Sequence, residues 1–217
     1  MTAPEVGYDV PAAIGMDEAE IQTPALILDL DVMEQNLAAM AASCRALGVD
    51  VRPHGKAHKT PELALRQIAH GAVGICCQKV SEAEAFVRGG VADVLVANEV
   101  SDPQKIDRLA RLATMAAVAV CGDDAAAVAD LSRSAVAHGA QIRVLVEIDA
   151  GSGRCGVRPG DAAVALAQAV ADAPGLRFGG VQAYNGSNQH IVSAAERAAA
   201  VEPVVAQVAE TTRALGA

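Results

Sequence analysis

From Val49 onwards, short β-branched or apolar runs alternate with capped segments of helical length, and this beat constrains the fold more than any other feature of the chain. The strand-like runs are residues 49–54, 73–77, 94–97, 116–120, 142–148 and 177–184. Helix signals fill the gaps. Thr60-Pro61 supplies a cap and a first-turn proline for a helix that reaches His70 and stops at Gly71. Ser81 with Glu84 reads as a capping box, and that helix ends at Gly89-Gly90. Asp102-Pro103 opens the next, and Asp123 starts one that reaches His138 and closes at Gly139. Residues 161–171 and 194–215 are predicted as the last two helices. Ahead of the beat lies an N-terminal arm, residues 1–30, with a short predicted strand at 25–29, before a domain spanning 31–217. Asp29 and Asp31 suit the cap of a helix over residues 32–47, ended by Gly48.

Alternation of this kind means βα units and a parallel sheet, with about six units counted from residue 49. A closed barrel takes eight such units, whereas a doubly wound open sheet is content with fewer, so the count leaves the choice open. No G-x-G-x-x-G follows the first strand, which disfavours a dinucleotide-binding open sheet.

Composition excludes several classes of function. The chain carries 17 Lys and Arg against 26 Asp and Glu, a net charge of -9 that repels nucleic-acid backbones and anionic lipid surfaces. Its apolar runs are far shorter than a bilayer span, so no membrane association is expected. The five cysteines are odd in number and lack C-x-x-C spacing, so they read as free thiols of a cytoplasmic protein rather than a zinc site. Cys76 and Cys77, adjacent on a strand, are expected to point to opposite faces and to be buried. An aromatic content of 2% leaves too little for a stacking platform.

The stretch Arg52-Pro53-His54-Gly55-Lys56-Ala57-His58-Lys59 carries the strongest chemical signal. In an extended run Arg52, His54, Lys56 and His58 would share one face, and burying that many cationic groups without partners costs several kcal/mol each, on the order of the usual desolvation penalty. The stretch is therefore either a site for an anion or aldehyde, or a solvated basic loop at a helix start. Pro53 cannot donate to a central ladder, so Lys56 falls just past a strand's carboxyl end, where β/α barrels place their reactive groups. A second constellation, residues 147–156, runs a strong strand into a Gly-rich turn bearing Arg154, which suits either anion binding or a plain tight turn. A third ends a strand with Gln182 and Tyr184, placed either to contact a ligand or to pack under the next helix. His190 lies just beyond, and Gln78, Asn98 and Glu99 also follow strands. His70 and His138 sit at helix C-termini, where a cation complements the macrodipole without any functional role.

The segments R-P-H-G-K-A-H-K-T, G-I-C-C-Q-K-V-S-E-A-E-A-F and V-A-N-E-V, with V-G-Y-D-V-P and L-I-L-D-L-D upstream, resemble the D-threonine aldolase and 3-hydroxy-D-aspartate aldolase family. The resemblance covers nearly the whole chain. It implies a (β/α)8 barrel of the alanine racemase kind that binds pyridoxal 5'-phosphate. It further implies that Lys56 is the Schiff-base lysine and, with His58, a catalytic residue, while His54, Arg154, Gln182 and Tyr184 join Lys56 around the cofactor and Arg154 lies near its phenolic oxygen.

The implied reaction is retro-aldol cleavage of a 3-hydroxy-D-amino acid in a homodimeric enzyme. Close to it stands water elimination by the D-serine and 3-hydroxyaspartate dehydratases of the same fold, and from another class a non-catalytic carrier of pyridoxal phosphate. The family also needs a divalent metal, Mn, Mg or Co, whose ligands lie in a C-terminal β domain; no metal ligand is assigned in this chain. With about six units, neither the phosphate loop nor that domain is expected here, so the barrel is expected to be truncated and the chain alone to show little activity.

Overall fold

Three aspartates start helices in the same way. Asp29, Asp102 and Asp124 accept hydrogen bonds from the backbone N–H groups of Val32, Lys105 and Ala127 at 2.9–3.0 Å, satisfying donors that a helix start leaves open. Gly48 and Gly139 end two of these helices in the left-handed conformation, at φ 66° and 62°. The computed structural model describes residues 4–216. Its helices are α1 (Leu30–Leu47), α2 (Pro61–Ala69), α3 (Val80–Arg88), α4 (Pro103–Leu112), α5 (Ala125–His138), α6 (Asp161–Asp172) and α7 (Ala194–Ala214). Between them run the strands β1 (Ile75–Cys77), β2 (Asp93–Glu99), β3 (Ala117–Gly122), β4 (Ile142–Ile148) and β5 (Leu176–Ala183). None of the described helices is long and apolar enough to cross a membrane.

The five strands are parallel and lie in the order β1-β2-β3-β4-β5. Every neighbour in the sheet is also the next strand in the chain. A doubly wound sheet reverses its strand order at a switch point and a barrel does not, so the arrangement is that of a β/α barrel wall. Side chains divide by the pleat: Val94 and Val96 of β2 are fully buried in the layer beneath the helices, with Phe86, Ile106, Leu109 and Leu131, whereas Leu95 packs on the inner face with Cys76, Ala119 and Cys121. Cys76 and Cys77 thus fall in different layers, as alternation requires.

Several expectations are corrected. The run at 49–54 is not a full strand; Val73 and Cys76 donate to the carbonyls of Val51 and Pro53 at 3.0 and 2.8 Å, and a single parallel bridge joins His54 to Cys76. Pro53 has no N–H to return, which explains why this edge pairs only intermittently. The strand expected at 25–29 is absent: no ladder receives it, and Leu26 is wholly exposed. In α3 it is Glu82, not Glu84, that accepts from the backbone ahead of the helix, at Gln78 (2.9 Å) and Lys79 (3.3 Å); Ser81 lies inside the helix and Glu84 instead pairs with Arg108. Arg52 leaves the expected cationic face altogether. Its guanidinium meets Asp93 of β2 at 2.9 Å, and Arg143 of β4 reaches the same carboxylate at 3.2 Å, tying the segment ahead of Gly55 to β2 and β4 at the amino end of the sheet.

Candidate active site

Lys56 rides on a single 3-10 turn, Gly55–Ala57, whose first N–H bonds are shaped by His54: its Nδ1 accepts from the Lys56 backbone at 3.4 Å. Gly55 is buried, and a Cβ added there would lie 2.4 Å from Cζ of Phe86. Only glycine lets the turn sit this close to α3, so a residue without a side chain sets the position of the lysine. Beyond the turn the chain diverges. His58 stacks edge-on against Phe86, with centroids 6.0 Å apart, and its Nδ1 accepts from Thr60. Lys59, at φ 54°, points to Glu82 at 3.9 Å.

The loop after β4 is fixed by its own aspartate. Asp149 accepts from the N–H groups of Gly151 and Gly153 at 3.0 Å each, and Asp123 accepts from Gly156 at 2.9 Å. Ser152 donates to the Tyr184 carbonyl and Asn185 to the Ala150 carbonyl, which locks this loop to the one after β5. Arg154 consequently lies with its guanidinium carbon 5.0 Å from the centre of the Tyr184 ring. The Tyr184 hydroxyl accepts from Gln189, while His190 does not line the cavity.

These elements enclose a cavity of about 390 Å³ at the carboxyl ends of β1, β2 and β5, within the size range of small-molecule sites. His54, Lys56, Arg154, Gln182 and Tyr184 all line it, together with Cys76, Gln78, Ala97, Val181 and Ala183. His58 does not. Asn98 and Glu99 line a neighbouring cavity of about 380 Å³ that shares Gln78. Burial, then the nearby Lys56 charge, lowers the His54 pKa, so the imidazole in the cavity is held neutral at neutral pH. Burial pushes the Cys76 thiol up to about 11, so it presents an inert apolar surface rather than a nucleophile. The apolar lining of Cys76, Ala97 and Val181 was missed by sequence reasoning, because small residues inside a strand carry no chemical signal of their own.

A family model described as alanine racemase, N-terminal domain, matches residues 28–216. The chain belongs to this family. Within the alanine racemase N-terminal domain family it is 54% identical over 215 residues to 3-hydroxy-D-aspartate aldolase of Paracoccus denitrificans, a match covering 98% of this chain and 56% of that protein. It is 51% identical over 188 residues to D-threonine aldolase of an Arthrobacter species, covering 87% of this chain and 50% of that one. The crystal structure of D-threonine aldolase from Filomicrobium marinum superposes with a TM-score of 0.94 at 50% identity, over 95% of this chain and 56% of the other. The fold is therefore alanine-racemase-like, as the sequence motifs implied. The chain spans about half the length of the curated relatives it matches.

Proposed function

We propose that this domain supplies the cofactor-binding half of a pyridoxal-phosphate-dependent lyase that cleaves 3-hydroxy-D-amino acids by retro-aldol reaction, 3-hydroxy-D-aspartate to glycine and glyoxylate or D-threonine to glycine and acetaldehyde. The observation that carries the reading is convergence: an amine, an imidazole held neutral and an arginine lying over a tyrosine ring reach one cavity from three separate loops. The residues fit the cofactor. Lys56 offers the one primary amine among the cavity's lining residues, Arg154 a fixed cation for an oxyanion on the ring, and Tyr184 an aromatic wall.

Pyridoxal phosphate, condensed with an amine, supplies an electron sink for the charge released when the Cα–Cβ bond of a 3-hydroxy amino acid breaks. Lys56 would hold the cofactor, and His54, which lines the cavity with its Nδ1 engaged by the Lys56 backbone N–H, would keep the turn that carries Lys56 in place. His58 supports this from outside the cavity, bracing the turn through Thr60 and Phe86. Gln182 and Gln78 orient polar groups along the wall, Gln78 itself being fixed by its bond to the Ala97 carbonyl at 3.2 Å. The two aldolases at 54% and 51% identity support retro-aldol cleavage over water elimination, since the D-threo-3-hydroxyaspartate dehydratase of a Delftia species is 32% identical.

A homodimeric, cytoplasmic enzyme belongs to the proposal. So does a divalent metal, but not at the groups described here: Glu99, Glu147 and Cys155 gather closely, yet the Arg154 guanidinium already contacts the Cys155 sulfur at 3.4 Å, and a fixed cation there opposes a second one.

The test is to mix the chain with pyridoxal phosphate, reduce with borohydride and map the modified peptide. Label on Lys56 is expected; label on Lys59 instead would overturn the assignment. With substrate, glycine and an aldehyde mark the aldolase, a keto acid and ammonia the dehydratase, and cofactor binding by the family's complete enzyme without turnover of any amino acid a carrier.

A further inference from the structure

Beneath the cavity wall lies a pair of acids that the proposed reaction does not use. Strand register sets Glu99 of β2 beside Cys121 of β3 and Glu147 of β4 beside Gln182 of β5, all at the carboxyl end of the sheet. A carboxylate oxygen of Glu99, one of Glu147 and the Cys155 sulfur lie within 4.8 Å of one another. Glu147 is 2% exposed, and Oε1 of Glu99 is buried with no hydrogen-bond partner. Two ionised carboxylates this close repel, the more so because Glu147 is out of water, and the orphaned buried oxygen of Glu99 adds its own cost.

The charges facing the pair decide how many protons it holds. From the loop after β4 comes Arg154, whose Nε contacts Cys155 at 3.4 Å while the Cys155 sulfur reaches Glu147 at 3.9 Å. From β3 comes the Cys121 thiol, held protonated by burial and then by Glu147, and from β1 the Cys76 thiol; Gln182 is uncharged, and His54 is held neutral on the cavity side, where Lys56 also stands. With both acids ionised the group around Arg154 carries a net negative charge, and with both protonated a net positive one. One proton between two acids leaves it neutral.

We infer that Glu99 and Glu147 together bind a single proton, and that the one negative charge they keep counterbalances Arg154 and holds it at the cavity wall. They are positioning residues, acting on the cavity through Arg154 and Gln182. The inference concerns the protein alone and stands or falls independently of the proposed cofactor and reaction.

Infrared spectroscopy of the full chain without cofactor tests it, through the carbonyl stretch that only a protonated carboxyl shows. At neutral pH the wild type is expected to show one carboxylic acid per chain, and Glu147→Gln and Glu99→Gln each to show none, because removing either member lets the other ionise against Arg154. No such band in the wild type, or a band that survives Glu99→Gln, would overturn the shared proton. Should a variant fail to fold, the wild type still decides. Its band is expected to fade as pH rises, with the same midpoint as a change in near-ultraviolet circular dichroism from Tyr184, the tyrosine beside Arg154; a pH-independent band or an unresponsive tyrosine signal contradicts the inference. A rise in melting temperature with Mn²⁺ or Zn²⁺ that Glu147→Gln abolishes would make the group a metal site instead, and would overturn it equally.

Discussion

The Arg154 guanidinium lies over the Tyr184 ring, 5.0 Å from its centre, although one residue follows β4 and the other β5. The two loops that bring them together are bonded to each other through Ser152 and Asn185, so the pair is set by backbone geometry rather than by mutual attraction alone. A guanidinium on an aromatic face at an exposed position contributes about 0.5–1 kcal/mol. Tyr184→Phe keeps that face and is expected to bind pyridoxal phosphate within about twofold of wild type, whereas Tyr184→Ala is expected to weaken binding about fivefold, for a loss of about 1 kcal/mol. An absorbance titration with the cofactor reads both, and equal affinities for the two variants would remove the ring from the site.

Gly55 fixes where Lys56 stands. An alanine there would place its Cβ 2.4 Å from one Phe86 ring carbon and 2.8 Å from another, so the turn or the ring must move. Overpacking of this kind costs about 1–3 kcal/mol. Gly55→Ala is expected to lower the melting temperature and to reduce borohydride labelling at Lys56, and trimming the ring with Phe86→Leu in the same chain should restore part of the labelling. Undiminished labelling in Gly55→Ala would show that the turn does not depend on this contact.

The residues that converge on the cavity were legible in the sequence because they share a simple property: Arg154 and Tyr184 each follow a strand, Lys56 follows an extended run bridged to β1, and beside a parallel sheet all such positions fall at one end. What was not legible arises where local chain geometry breaks the period of two. The 3-10 turn at Gly55 rotates His58 out of line with Lys56, so alternation placed the two histidines together when only His54 reaches the cavity. Past a register shift between β4 and β5, Val181 and Ala183 pack against the helix-side core yet still border the cavity beside Gln182 and Tyr184, so side-chain alternation alone does not tell which residues line it. Arg52 was misplaced for a third reason. Its partner Asp93 lies 41 positions away along the chain, and Arg143, the second arginine on that carboxylate, lies 50 positions from Asp93, so no local pattern announces the pairing.

Asp93 is the acceptor on which both of those arginines depend. It is partly buried, and removing it leaves two guanidinium groups facing one another inside the sheet. Hydrogen bonds to charged groups contribute about 1.5–3 kcal/mol when shielded, and partial exposure here reduces the figure, so Asp93→Asn is expected to cost about 1–2 kcal/mol. Urea unfolding should show a lower midpoint at unchanged slope, since the native and unfolded surfaces stay the same. The cavity lies at the opposite end of the strands, so borohydride labelling of Lys56 in the folded variant should match wild type.

His54 ties proton binding to the same turn. Its pKa lies below the ordinary 6.5, first because it is partly buried and second because Lys56 is near. In the window between the lowered folded value and 6.5 the unfolded chain holds more proton on this residue than the folded chain does, so stability rises with pH across that window and is fully present above it. His54→Asn should flatten this part of the pH–stability curve. The ring proton beside Nε2 of His54, followed by NMR, is expected to titrate below 6.5, and a midpoint at or above that value would contradict the environment described. Protonation has a structural consequence as well: Nδ1 accepts from the Lys56 backbone N–H, and a charged imidazole has no lone pair to offer there. Acidification should therefore loosen the turn that carries Lys56 over the same range in which His54 titrates, visible as a fall in the protection of the Lys56 amide, its exchange rate taken relative to the intrinsic rate at each pH, in wild type but not as a pH-dependent step in His54→Asn.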